Sequence, residues 1–167
     1  PAERANDFAA LIARLGFRVA PFSPACLRAT EDAEGRELAR ALGIAAFGAM
    51  NVMLVSVPVW AGMELGEQAR HLMHWLAALI GMPTVLIAGM PLYRGAWRGL
   101  QAGRLNMDSA VSLGVIATTL MSLSETFRNG EYTWFDGATA LLALMLAGRL
   151  LDRAARRRAR QSVAELL

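Results

Sequence analysis

The sequence predicts an all-α membrane protein: four transmembrane helices in two antiparallel hairpins, a kinked second helix, an interfacial amphipathic helix and a short N-terminal remnant of a soluble domain. Three observations predict it. Of 167 residues 55% are hydrophobic and the mean hydropathy is +0.35, above the roughly 45–50% apolar content (glycine included) of soluble domains. Only 19% are charged, and these cluster. Four stretches have the ~20 apolar residues that a ~30 Å hydrocarbon core requires. Disorder is excluded, and the lone Cys26 has nothing to pair with, so a disulfide scaffold is excluded too.

Residues 1–22 read as a fragment. Asp7–Leu15 has Phe8, Leu11, Ile12 and Leu15 on one helical face with Gly16 as its cap. Phe17–Ala20 reads as a strand ended by Pro21. One helix and one strand cannot bury a core, so this is expected to be the tail of a truncated domain. The chain opens on Pro1 without a signal-peptide pattern, which suggests an internal piece of something longer. Ser23–Arg36, with Pro24, Glu31, Asp32, Glu34 and Gly35, reads as a solvated linker.

The first span is expected at Ala41–Gly62 and the second at Leu72–Met90. Gly89 and Pro91 weaken the helix there and predict a kink or break. Beyond it Arg94 and Arg98 share a face, while Leu92, Ala96, Trp97 and Leu100 cover much of the other. That is the pattern of a helix lying in the membrane interface; the plainer alternative is a kinked helix end with snorkelling arginines. The third span, Met107–Phe127, carries Ser109, Ser112, Thr118, Thr119, Ser122 and Ser124, small polar residues suited to a helix inside a bundle. The fourth, Trp134–Leu151, is mostly leucine and alanine.

All 17 basic residues are arginine, the pI is near 10.0, and their placement argues for a membrane, not nucleic acid. Arg36 and Arg40 precede span one, Arg94, Arg98 and Arg104 lie between spans two and three, and six arginines close the chain from Arg149 to Arg160. The other two connections hold only Arg70 and Arg128 beside three glutamates. Both termini are therefore expected in the cytoplasm, with Trp60, Trp75 and Trp134 near the outer interface.

Met50-Asn51-Val52-Met53-Leu54, Tyr93-Arg94-Gly95-Ala96-Trp97, Asn106-Met107-Asp108, Trp134-Phe135-Asp136 and Gly148-Arg149-Leu150-Leu151-Asp152 together resemble heavy-metal-transporting P-type ATPases. The wording is most similar to the copper exporters that serve bacterial cytochrome oxidase assembly. The resemblance covers essentially the whole chain. It implies the end of an α/β metal-binding domain (1–22), a linker (23–40), two class-specific helices (41–90), a cytoplasmic platform helix (91–106), two core helices (107–152) and a basic segment (153–167) leading to an actuator domain. It also implies a bacterial inner-membrane location and Cu(I) as the transported ion. ATP and Mg would be bound by the remaining pump domains, so this chain alone would not hydrolyse ATP. Cys-Pro-Cys and Asp-Lys-Thr-Gly are absent from it, so zinc, cadmium or cobalt stay open as cargo. The family's glycine pair at the kink is here Gly89-Met90. A stand-alone four-helix structural or assembly protein is the reading from another class.

By this resemblance Met107 and Asp152 are uptake ligands, Asp136 is a release-pathway acid, and Gly89, Arg94, Trp97, Arg98 and Arg104 belong to a platform that docks a copper chaperone. A thioether suits Cu(I), although methionine also fills gaps. Asp136 and Asp152 are 16 residues apart, roughly 24 Å along a helix at 1.5 Å per residue, and cannot form one site. The alternatives are a helix-start acid for Asp136 and a simple Arg149–Asp152 pair one turn apart. His71, Met73 and His74 cluster at one end of span two, where amphipathic anchoring is simpler than metal ligation.

Overall fold

Long apolar runs leave the backbone one way to satisfy its own hydrogen bonds inside a bilayer, and that is the helix. The computed structural model describes residues 24–61 and 66–164, and the described residues form no strand. They fold as α1 (Pro24–Trp60), α2 (Glu67–Ala88), α3 (Met90–Gln101), α4 (Met107–Phe127) and α5 (Phe135–Ala164). The expected Asp7–Leu15 helix and Phe17–Ala20 strand lie outside the described residues. The chain divides into two units, Pro1–Ala33 and Glu34–Leu167. Of the first, only the opening turns of α1 are described; the bundle is the second.

Three segments are long and apolar enough to cross a membrane: Asp32–Trp60, Glu67–Ala88 and Met107–Phe127. The fourth expected span falls in α5, which is set apart by its charges, Asp136 near its start and Arg149, Asp152 and Arg153 further along. The start of α1 also differs from expectation. It is helical from Pro24, where the sequence reads as a linker. Within the expected linker, two ion pairs hold the helix to the bundle: Arg153 donates to Glu34 at 2.6 Å and Arg94 to Glu37 at 3.0 Å.

Helices in lipid gain little from the hydrophobic effect, so they associate by close packing of small residues. Ala45 and Val52 on α1 are fully buried, as are Ala77 and Ala88 on α2. At Gly48 a methyl group would run into the Thr84 side chain, so glycine sets the α1–α2 approach. The Thr84 hydroxyl is satisfied within its own helix, donating to the Ile80 carbonyl at 2.7 Å. On α4 the buried stripe is Ser112, Val115, Thr119, Ser122 and Thr126, spaced three or four apart as a packed helix face requires. Of the six polar residues expected to suit a bundle, Ser112, Thr119 and Ser122 are buried, Ser109 and Thr118 are half-buried, and Ser124 is exposed. Ser122 Oγ accepts from the Trp134 N–H at 2.9 Å and so ties the start of α5 to α4.

The elements sort to two ends. One end, here the basic end, holds the turns of α1 around Leu38 and Ala41, all of α3, the start of α4 and the later turns of α5, over a core of Leu38, Ala41, Leu92, Leu142 and Leu146. At the other, aromatic end Trp60, His74 and Thr133 line one small cavity, and Trp75 meets Phe127 edge-on with ring centroids 5.2 Å apart.

Candidate functional site

The basic end is assembled around one joint. α2 passes into α3 through Gly89, which keeps helical dihedrals (φ −74°, ψ −14°). Its N–H donates to the Val85 carbonyl at 3.0 Å, and the Tyr93 hydroxyl reaches back to the same oxygen at 3.1 Å. A Cβ at position 89 would strike the Tyr93 ring and that carbonyl. Glycine is therefore required by the closeness of Tyr93, and Met90 in the next position stays half outside, 49% exposed. Burial pushes the Tyr93 hydroxyl above its ordinary pKa, which keeps it a donor to Val85.

From this joint α3 buries Leu92 and leaves Trp97 and Leu100 exposed. Arg94 pairs with Glu37 and accepts at its carbonyl from Arg98 Nε at 3.2 Å. The helix closes on Gly103, at φ +66°. The Gly103 N–H donates to Leu100 and the Arg104 N–H to Gly99, both at 3.0 Å, the paired bonds of a glycine helix stop. Arg104 follows, exposed. These are the residues expected to form the platform.

The other face of α3 is smooth because Gly95 and Gly99 are four apart. A side chain at Gly95 would collide with the Asp108 carboxylate, and one at Gly99 with Asn106. Asn106 caps α4: its Oδ1 accepts from the Ser109 N–H at 2.9 Å, while its Nδ2 donates to the Gly95 carbonyl at 3.3 Å. A single amide thus starts one helix and fastens it to another.

Met107 is the first residue of α4 and is 66% exposed. Its neighbour Asp108 points inward and pairs with Arg149 of α5, the two side chains being 16% and 28% exposed. Asp152 pairs along its own helix with Arg156 Nε, at 3.0 and 3.2 Å. The Arg149–Asp152 pair considered from the sequence is therefore replaced, since each of the two takes a different partner. The starts of α4 and the later turns of α5 are brought together through Asp108 and Arg149, the neighbours of the expected ligands. The motif Asn106-Met107-Asp108 was visible in the sequence; the partner of Asp108, 41 residues away, was not.

Asp136 sits in the first turn of α5 and is buried, with Oδ1 lacking any hydrogen-bond partner. At the same end His71 Nε2 accepts from the Trp75 indole at 3.0 Å, which fits anchoring. His74 is buried, with its Nε2 unpartnered. Among the described residues no group of three or more His, Cys, Asp or Glu is arranged to hold a metal ion.

No protein-family profile matches the chain, and no solved structure does. Among curated proteins it is 45% identical to the nitrogen fixation protein FixI of Bradyrhizobium diazoefficiens over 148 residues, 87% of this chain and 20% of that protein. It is 39% identical to FixI of Rhizobium meliloti over 164 residues, 96% of this chain and 21% of that one. To the probable copper-exporting P-type ATPase V of Mycobacterium tuberculosis it is 30% identical over 130 residues, 78% of this chain and 15% of the relative. The chain spans about a fifth or less of the length of these relatives, among which copper-exporting P-type ATPases recur.

Proposed function

We propose that this chain is the N-terminal transmembrane portion of an ATP-driven heavy-metal exporter of the P-type ATPase class, with Cu(I) as cargo. In this reading α5 crosses as a fourth span with its charges at the two ends. Both termini are cytoplasmic in a bacterial inner membrane, residues 1–22 close a metal-binding domain, and the remaining pump domains handle ATP and Mg. Cu(I) is taken up at Met107 and Asp152 and released past Asp136. The α3 surface around Gly89, Arg94, Trp97, Arg98 and Arg104 receives a copper chaperone.

The observation that carries this reading is the convergence at the basic end. The start of α4, bearing Met107, is tied by an inter-helix ion pair to the turn of α5 that precedes Asp152. A soft neutral thioether and a carboxylate that offsets the charge of a desolvated cation are a fitting pair for Cu(I). The partner that Asp152 now has is an exposed one, Arg156, and such pairs contribute about 0–1 kcal/mol, so an arriving ion displaces it at little cost. Asp136 suits release because α5 continues unbroken to Asp152, about 24 Å away at 1.5 Å per residue. The relatives named as copper exporters support the choice of ion.

The test replaces the matching segment of the mycobacterial copper-exporting relative with this chain and measures metal-stimulated ATP hydrolysis in membrane vesicles. Copper should stimulate the chimera, and Met107→Ala and Asp152→Ala should each weaken the copper response at least tenfold while membrane insertion is kept. An inserted chimera whose copper response ignores both substitutions would overturn the assignment, and stimulation by zinc alone would move it to another cargo.

A further inference from the structure

Asp108 meets three helices at once. It belongs to α4, one oxygen pairs with Arg149 of α5, and the other lies where a side chain on Gly95 of α3 would have to go. Both charges of the pair are largely withdrawn from solvent, so neither is screened as an exposed pair would be. Arg149 also lies three residues before Asp152, on the same side of the helix. A positive charge three residues before Asp152 thus stands on the Asp108 carboxylate, next in sequence to Met107, where a cation is to be taken up.

We propose that Arg149 is the resident cation of the uptake site: its guanidinium holds Asp108, a second carboxylate that joins Met107 and Asp152 in receiving the transported ion, and loading requires the Asp108–Arg149 pair to open. This deepens the preceding reading and rests on it. Met107 is the next residue to Asp108, so an ion on its sulfur lies on the order of 10 Å from Arg149, two side-chain lengths away. At that separation and an effective dielectric near 20, one unit charge changes cation affinity on the order of tenfold. Opening the pair exchanges one cation for another beside Asp108, and the local charge stays balanced throughout. Because Asp108 also rests against Gly95, the state of the pair is felt by the platform helix, which links docking on α3 to readiness of the site. Arg149 acts here as a gating residue and Asp108 as the group it releases.

The experiment measures Cu(I) affinity of the whole 167-residue chain in lipid nanodiscs by anaerobic competition with a Cu(I) chelator, with a thermal melt of every variant. Arg149→Gln should bind Cu(I) about tenfold more tightly, because it removes the competing charge. Asp108→Asn should bind about tenfold more weakly, because Arg149 is left uncompensated. The double variant should return to within threefold of the parent, and Arg149→Lys should stay near it. Gly95→Ala, which pushes the carboxylate off its seat, should weaken binding a fewfold. Opposite signs for the two charge deletions are what charges acting directly on the bound ion produce and a purely structural strut does not. If neither shifts, or both shift alike, while Met107→Ala still weakens binding tenfold, the gate is overturned and the uptake site stands. If Met107→Ala and Asp152→Ala leave affinity unchanged, the uptake site itself fails and the gate with it. Should Asp108→Asn not fold, the contrast between Arg149→Gln and Arg149→Lys decides alone, and equal affinities for those two overturn the proposal.

Discussion

At the basic end three ion pairs join helices, Glu34 to Arg153, Glu37 to Arg94 and Asp108 to Arg149, and a fourth, Asp152 to Arg156, lies within α5. At the aromatic end the joining contacts are uncharged. Phe135 is buried against Val52, Ala77 and Ala78, Trp75 lies between His71 and Phe127, and threonines bond back along their own helices. The two ends therefore answer differently to solvent. Three of the four ion pairs are exposed and weaken with salt, over a Debye length that shrinks from about 10 Å at 0.1 M to about 3 Å at 1 M. At the aromatic end, among the described residues, close packing joins the helices and no ion pair does. One half of the molecule is built to exchange partners and the other to stay closed.

The largest effect should come from the closed half. Phe135 is 1% exposed, and its ring and Cβ pack at the distance where Gly81 permits approach, 3.3 Å from an added Cβ. Phe135→Ala leaves a cavity that the helices cannot fill, and should cost about 3 kcal/mol, the lower end of the range for buried phenylalanines, because lipid rather than water surrounds the separated helices. Unfolding in detergent, followed at 0.05 M and 1 M salt, should give the same loss at both. A loss under about 1 kcal/mol, or one that changes with salt, would break the contrast between the ends.

The parts of this architecture that were legible in the sequence are those that depend on one helix at a time. The stripe of Ser112, Thr119 and Ser122 announced a buried face, and hydropathy marked the spans. Gly89 with Pro91 marked the α2–α3 joint. What could not be read was which face meets which. Glu34 and Glu37 look like solvated linker charges until Arg153 and Arg94 arrive, 119 and 57 residues later in the chain. Periodicity gives the direction of a side chain about its own axis but not the partner helix, so Asp108 and Arg149 carried no local sign of their pairing. Local spacing also favoured Arg149–Asp152, and tertiary packing overrode it.

A smaller effect is expected at the α2–α3 joint, where the two halves of the comparison meet in one residue. Tyr93 is packed like the closed end, yet its hydroxyl makes a single polar bond to Val85. Tyr93→Phe keeps the ring over Gly89 and removes only that bond, so the cost should be about 0.5–1.5 kcal/mol. Amide hydrogen exchange should quicken around Gly89 and the first turn of α3 and stay unchanged in the buried stripe of α4. Equal acceleration across both helices would mean that the joint is not a separable element.

The smallest effect belongs to Glu37 and Arg94. Their nitrogen and oxygen are 3.0 Å apart, as in a good ion pair, but the side chains are 50% and 61% exposed. Water and ions compete for both partners, and holding two long side chains in one geometry costs entropy, so such pairs contribute about 0.2–1 kcal/mol. A double-mutant cycle through Glu37→Gln and Arg94→Gln should return a coupling in that range at 0.05 M salt and none measurable at 1 M. The same cycle on Asp108→Asn and Arg149→Gln should give a larger coupling that survives salt, because those charges are mostly withdrawn from solvent. The comparison between the two pairs is sharper than either number alone. They share the basic end and the same Arg-to-carboxylate chemistry and differ mainly in burial, so equal couplings or equal salt dependence would show that burial does not distinguish them.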